Sequence, residues 1–117
     1  MNVITSGGAS FAVIDCTRKI ICTQDILDLM AELWFSGQCT GMIVYKESLD
    51  ERFFDLKTGF AGDVLQKFSN YNFKLAVVGD FSKYTSKSLR DFIYECNRGS
   101  LVFFASDVEA ALKALGS

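Results

Sequence analysis

Two short loops combine hydroxyl-bearing and basic residues directly before predicted helices. One contains Lys57-Thr58-Gly59 and the other contains Thr85-Ser86-Lys87. The second loop follows an apolar run at residues 75–78, which is typical of a buried strand. A helix start presents unpaired backbone N–H groups and about half a positive charge, so hydroxyl and ammonium groups beside it suit an anion. The predicted chemistry is therefore the binding of a phosphate, a carboxylate or a phosphorylated side chain.

Short apolar strands alternate with amphipathic helices along the chain. Strands are predicted at residues 10–15, 41–45, 73–79 and 101–105, and a hairpin turn at Ser6-Gly7-Gly8 joins the first of them to an earlier strand. Helices are predicted around an apolar stripe at residues 26–34, over residues 59–71, from Ser86 or Ser88 onward, and from a capping box at residues 106–109. The order β-β-α-β-α-β-α-β-α predicts one α/β domain over residues 1–117, with a mostly parallel sheet and helices packed against it.

The carboxyl ends of parallel strands meet at one edge of a sheet, where ligands usually bind. The candidate binding residues predicted at this edge are Lys46, Asp55, Lys57, Thr58, Gly59, Asp80, Ser82, Lys83, Tyr84, Thr85, Ser86 and Lys87. A purely structural interpretation stays open, in which the hydroxyls cap helices and the lysines are solvated. Phe81 and Tyr84 have two interpretations as well, as recognition groups or as a lid folded back onto the core.

The residue types exclude several classes of enzyme and metal site. The chain has no histidine, so neither Ser-His-Asp nor Cys-His catalysis is possible within it. The four cysteines lack Cys-x-x-Cys spacing, and we predict no metal site, no cofactor and no disulfide. They are expected to be reduced core residues, and they are Cys16, Cys22, Cys39 and Cys96.

The charge and hydropathy of the chain bear on its partners and location. Fourteen acidic residues against twelve basic ones give a net charge of −2, which argues against nonspecific binding of nucleic acid. The apolar stretches are shorter than the ~18 residues that a membrane span needs. The first residues contain neither a basic segment nor a long apolar block, so no signal peptide is predicted and a cytoplasmic location is expected.

Three long motifs resemble a bacterial family of unknown function, catalogued as domain-of-unknown-function family 4180. The motifs are FFDLKTGFAGDVLQKF, KLAVVGDFSKYTSKSLRDFIYE and CNRG. The resemblance covers nearly the whole chain. It implies no activity, because none is established for the family.

The order of elements also resembles that of the STAS domain, found in anti-sigma factor antagonists and sulphate transporter tails. In that family an Asp-Ser-Ser-Gly or Asp-Thr-Ser stretch precedes the second helix, and a partner kinase phosphorylates a hydroxyl there. The segment at residues 54–60 is similar to this stretch, with Leu56-Lys57 inserted between Asp55 and Thr58. The resemblance implies that Thr58 is the switch hydroxyl.

These observations predict a non-enzymatic regulatory or interaction module that binds a protein partner around Thr58. The partner class implied by the STAS resemblance is a kinase or an anti-sigma-like regulator. One ring of Phe53-Phe54 is expected to be exposed for a partner or a dimer mate. Two rival predictions stay open: a small anionic-ligand protein or enzyme that uses the same loops, and a homodimer paired through the edge strand near the N-terminus.

Overall fold

A computed structural model of the chain describes residues 2–37 and 39–116, in which five strands and four α-helices alternate. The strands are β1 (Asn2–Ser6), β2 (Ala9–Val13), β3 (Cys39–Tyr45), β4 (Lys74–Val78) and β5 (Val102–Ala105), and the helices are α1 (Thr23–Gly37), α2 (Phe60–Asn70), α3 (Lys87–Arg98) and α4 (Val108–Gly116). Three 3₁₀ turns, Lys46–Ser48, Glu51–Phe54 and Leu56–Thr58, connect β3 to α2. The predicted order of elements is confirmed.

The strands form one sheet in the order β1-β2-β3-β4-β5. β1 pairs antiparallel with β2, and the other neighbours pair in parallel. The β1–β2 turn consists of Gly7 and Gly8, whose φ angles are +60° and +82°. A two-residue hairpin loop of this twist needs positive φ at both positions, which glycine adopts without steric cost. The predicted hairpin is confirmed.

The helices cover the two faces of the sheet unequally. Because each parallel strand lies next to its predecessor, right-handed crossovers carry α1, α2 and α3 onto the same face. Each of these three helices contributes buried residues to the larger core cluster, among them Ile26, Val64 and Leu89. α4 alone packs on the opposite face, where Ala111 and Leu115 join a smaller cluster. The chain is thus a single-domain α/β fold with a mostly parallel sheet, as predicted.

At two predicted helix starts, an aspartate near the predicted serine makes the capping hydrogen bond. The sequence Ser48-Leu49-Asp50-Glu51 is typical of a capping box that begins at Ser48, but Ser48 is buried and its hydroxyl donates to the Cys16 carbonyl at 3.4 Å. Asp50 caps the following turn by accepting from the Arg52 N–H at 3.0 Å. At α4, Asp107 accepts from the Ala110 N–H at 2.8 Å. A carboxylate two or three residues from a free N–H reaches it well, so these aspartates act as the caps.

The cysteines only partly match their predicted role. Cys16 and Cys22 are exposed, so the expectation that they are core residues is wrong. Cys39 and Cys96 are partly buried against the core, and all four are free thiols. Burial raises the pKa of Cys96 to about 11 and also raises the pKa of Cys39. These two thiols stay protonated near neutral pH, which makes them poor nucleophiles.

Aromatic side chains are exposed at the end of the sheet where the parallel strands begin. Trp34, predicted to lie in the apolar stripe of α1, is 66% exposed, and its neighbour Phe35 is 92% exposed. Tyr71, just after α2, is 51% exposed. The covered part of the apolar stripe therefore ends at Leu33, which is 1% exposed. Each helix that the structure describes is too short or too polar to span a bilayer.

Candidate functional site

The two loops singled out in the sequence lie side by side at the carboxyl ends of β3 and β4. Residues 46–60 follow β3, and residues 80–87 follow β4. We call the surface that they form together the loop face. Glu51 and Phe54, on the first loop, contact Lys83 and Tyr84 on the second. The parallel topology therefore brings the two predicted binding segments together.

An aromatic cluster holds the second loop against the core. The Phe54 and Tyr84 rings stack with centroids 4.9 Å apart and planes 19° apart. Phe81 contacts Phe54 at 6.0 Å and meets Phe104 of β5 edge-on at 5.4 Å. Of the two interpretations of Phe81 and Tyr84, the lid folded onto the core is therefore the observed one.

The expectation of an exposed ring at Phe53-Phe54 is wrong. Phe53 is 0% exposed and Phe54 is 6% exposed. The two rings meet edge-on at 5.2 Å, and Phe53 also contacts Phe60 and Phe104. In an extended segment adjacent side chains point to opposite faces, but the 3₁₀ turn at Glu51–Phe54 directs both rings inward.

Glu51 is the charged centre of the loop face. Its carboxylate accepts from the Tyr84 hydroxyl at 3.1 Å and from the Lys83 ammonium at 3.4 Å. The ammonium groups of Lys83 and Lys46 lie 5.1 and 5.3 Å from the Tyr84 ring centroid, within the range of cation–π attraction. Burial, and then the hydrogen bond to Glu51, raise the pKa of Tyr84. Tyr84 therefore remains a hydrogen-bond donor at neutral pH.

Several lysines at this edge have carboxylate partners. Lys83 pairs with Glu51, and Lys87 pairs with Asp91 one turn along α3 at 2.8 Å. Tyr84, and then Glu51, raise the pKa of Lys83, which keeps its ammonium charged. Because both pairs are exposed, they contribute little to stability, but they reduce the local excess of positive charge.

Thr58 occupies the last position of the 3₁₀ turn before α2. Its hydroxyl proton is shared between the Arg52 carbonyl at 2.7 Å and the Asp55 carbonyl at 2.8 Å. The Phe60 N–H donates to the same hydroxyl at 3.3 Å. Although the residue is exposed, its hydroxyl thus closes the turn that leads into α2.

The residues on either side of Thr58 have structural roles. The Asp55 carboxylate accepts from the Lys57 N–H at 3.3 Å and caps the turn at Leu56–Thr58. Gly59 follows with φ at +79°, a left-handed conformation that ends this turn and starts α2. The Lys57 side chain is exposed on the same surface.

Polar side chains of the second loop also form hydrogen bonds with its backbone. Ser86 caps α3 by accepting from the Leu89 N–H at 3.3 Å, which confirms the first of its two predicted starts. Thr85 is exposed beside it. The Asp80 carboxylate accepts from the Ser82 N–H at 2.9 Å, and bonds from the Ser82 hydroxyl and N–H lower the pKa of Asp80. The Lys46 ammonium lowers it further.

The lowered pKa of Asp80 predicts a pH-dependent contribution to stability. Because the folded pKa lies below the ordinary 3.8, the contribution is present above that value and is lost as the pH falls through the folded pKa. The difference in unfolding free energy between wild type and Asp80→Ala is therefore expected to be full at about pH 6 and to shrink in acid. Urea titrations across this range measure it. Asp80→Asn keeps an acceptor for Ser82 but does not titrate, and a wild-type pH dependence in this control would contradict the assignment.

A cleft of about 410 Å³ opens on the loop face. Its lining combines two aromatic rings, two carboxylates and one guanidinium, from Glu51, Arg52, Phe54, Asp55 and Tyr84. Three of these residues, Glu51, Arg52 and Phe54, were not among the predicted site residues. These residues follow the carboxyl end of β3, and that position in the sequence could have indicated that they belong to the site. Within the described ranges, no three His, Cys, Asp or Glu side chains converge as metal ligands would.

The comparisons with known proteins identify a family but no function. Comparison with curated proteins found no match, and comparison with solved structures found none either. Neither supports the resemblance to STAS domains. A family model matches residues 6–115, which is almost the entire chain. The chain therefore belongs to the family described as Domain of unknown function (DUF4180).

Proposed function

We propose that this protein is a non-enzymatic, STAS-like regulatory module of the cytoplasm that binds a protein partner through the loop face. Modification of the Thr58 hydroxyl by a partner kinase switches that binding. The observation that carries this proposal is the position of the hydroxyl, on an exposed residue yet bonded to the Arg52 and Asp55 carbonyls. A hydroxyl that closes a turn and belongs to an exposed residue is suited to act as a switch.

Phosphorylation would replace the hydrogen-bond donor at this turn by a negatively charged group. A kinase would transfer the terminal phosphoryl group of a nucleoside triphosphate to the Thr58 oxygen. The nucleoside diphosphate would leave, and a base of the kinase would take the hydroxyl proton. The modified residue can no longer donate to the two carbonyls, and it carries a charge of about −1.5 to −2 at neutral pH. That charge would face two carbonyl oxygens and lie near the Asp55 carboxylate. The turn must then rearrange.

The Arg52 residue links this turn to the rest of the loop face. The Arg52 carbonyl accepts a hydrogen bond from the Thr58 hydroxyl. The Arg52 guanidinium donates to the Asp50 carboxylate at 3.0 Å and lies 5.5 Å from the Phe60 ring centroid. Arg52 belongs to the same 3₁₀ turn as Glu51 and Phe54. A rearrangement at Thr58 would therefore reach the contacts that these two residues make with Tyr84. We infer that the partner recognises the closed arrangement of the two loops.

Partner capture from a cell lysate with five forms of the protein tests the switch. Wild type and Thr58→Ser are expected to capture the same partners, because both keep the hydroxyl. Thr58→Ala, expected to lose about 1 kcal/mol of stability, and Thr58→Glu are expected to lose or exchange partners. Thr85→Glu is the matched control, since it adds the same charge on an exposed threonine of the same face. Identical partner sets for Thr58→Glu and Thr85→Glu would refute the switch.

The rival function, binding of a small anion on the same surface, receives weaker support. The start of α2 beside Arg52 and Lys57 favours it. Against it, Lys83 and Lys87 already pair with carboxylates, and Glu51 and Asp55 line the cleft. A library of phosphate and carboxylate metabolites tested by thermal unfolding would decide. A ligand at 100 times its Kd would stabilise the protein by about 2.7 kcal/mol, and Lys57→Ala or Lys83→Ala should abolish the effect.

A further inference from the structure

The two edges of the sheet differ in how their outward backbone groups are treated. On β5, the Phe104 N–H, which faces away from β4, donates to the side-chain oxygen of Asn97 at 2.7 Å. Asn97 belongs to α3, so a helix residue occupies the edge of that strand. Exposed strand edges invite pairing with other chains, and covering them is a common protection. The β5 edge is protected in this way.

Among the residues that the structure describes, no other strand or loop bonds to the outer edge of β1. Ser6 and Ala9 flank the two-residue turn and face each other in the register, so they form a hydrogen-bonded pair. Because such pairs alternate along an antiparallel ladder, Ile4 also bonds inward to Phe11, whereas Val3 and Thr5 direct their N–H and C=O groups outward. Both of these residues are exposed.

We propose that β1 is a dimerisation edge that pairs antiparallel with β1 of a second copy of this chain. With the two-fold axis beside Ile4, Val3 of each copy lies opposite Thr5 of the other. Each of these two pairs exchanges two N–H···O=C bonds, which gives four bonds in total. The result is one continuous sheet of ten strands, five from each copy. This proposal does not depend on the proposed function.

A second copy fits this edge better than an unrelated strand for two reasons. The register that satisfies all the outward groups of Val3 and Thr5 is symmetric, so the strand is complementary to itself, as a two-fold interface requires. The sequence of β1, NVITS, also carries no charge, so two copies brought together do not repel. On the face of the sheet that α1, α2 and α3 cover, the methyl groups of Val3 and Thr5 would pack against each other across the interface.

The mass of the protein in solution tests the pairing. Wild type is expected to approach twice the 13.0 kDa of one chain as concentration rises in light scattering. Thr5→Pro removes an outward N–H and no backbone bond to β2, although it also removes the exposed hydroxyl contact with Ser10 at 3.3 Å, which Thr5→Val removes as well. It is expected to stay at the single-chain mass with an unchanged circular dichroism spectrum. Thr5→Val keeps the N–H and should dimerise like wild type. A wild type of single-chain mass at every concentration, or a dimeric Thr5→Pro, would overturn the proposal.

A cross-linking experiment tests the register and does not depend on the folding of the proline variant. In a Cys16→Ser/Cys22→Ser background, which removes the exposed thiols, Ile4→Cys places two cysteines opposite each other at the axis. Their Cα atoms would lie about 4.5 Å apart, within the range for a disulfide. Mild oxidation should therefore give a covalent dimer. Val3→Cys is the control, since its partner cysteine is two residues away along the strand. Cross-linking of Val3→Cys but not of Ile4→Cys would overturn this register.

Discussion

Replacing Phe54 by alanine is expected to lower the free energy of unfolding by about 3 kcal/mol and to release the 80–86 loop. Phe54 is 6% exposed and contacts Phe53, Phe81 and Tyr84. Removing the ring takes away the surface on which the rings of Phe81 and Tyr84 rest. The effect is therefore both global and local.

Hydrogen exchange and urea denaturation together measure these two effects. The amide hydrogens of Ser82 and Tyr84, which donate to Asp80 and Phe81, should exchange faster in Phe54→Ala than the overall loss of stability explains. Phe35→Ala is the matched control, because that ring is 92% exposed and its loss should change stability by no more than about 0.5 kcal/mol. Unchanged protection of the loop in Phe54→Ala would contradict its role as the anchor.

The second large effect is expected at Gly41, in the middle of the sheet. A Cβ atom on Gly41 would lie 2.8 Å from the Lys74 carbonyl oxygen, 2.9 Å from the Lys74 Cβ and 3.0 Å from the Phe11 ring. β3 is paired on both sides, so the strands cannot separate without losing ladder hydrogen bonds. Gly41→Ala is therefore expected to destabilise the protein by about 1–3 kcal/mol.

Gly62 provides a control with the opposite expected sign. It lies in the first turn of α2, and a Cβ there meets no atom within 4 Å. Gly62→Ala should raise the free energy of unfolding by about 0.5–1 kcal/mol, because alanine loses less entropy in a helix. Chemical denaturation of both variants gives the comparison. Equal effects of the two substitutions would show that close packing at Gly41 is not the cause.

The order of the elements could be predicted because local patterns specify it. Apolar runs such as residues 75–78 are bounded by polar residues, and glycines stand at the hairpin. The alternation of strands and helices then restricts the connections to right-handed crossovers. The periodicity of apolar residues does not indicate how far along a helix the apolar side chains are buried against the rest of the protein. It predicts that Trp34 belongs to the buried stripe, whereas the residue is 66% exposed.

The edge of the sheet where the two loops lie could be predicted from the sequence, but the contacts between the loops could not. Parallel topology is enough to place Thr58 and Tyr84 at one edge of the sheet. The partners of these residues depend on side-chain geometry across more than thirty positions, as in the bond from Tyr84 to Glu51. The burial of both Phe53 and Phe54 depends on a 3₁₀ turn whose direction no spacing pattern predicts.

The exposed position of Trp34 has a practical consequence for spectroscopy. It is the chain's single tryptophan, and because the residue is already 66% exposed, its emission should change less on unfolding than that of a buried indole. Intrinsic fluorescence is therefore a poor measure of the stability of this protein, and circular dichroism is the better one. The same indole is a sensitive reporter of anything that covers the end of α1. A blue shift of its emission would indicate binding at the end of the sheet away from Thr58, without any added label.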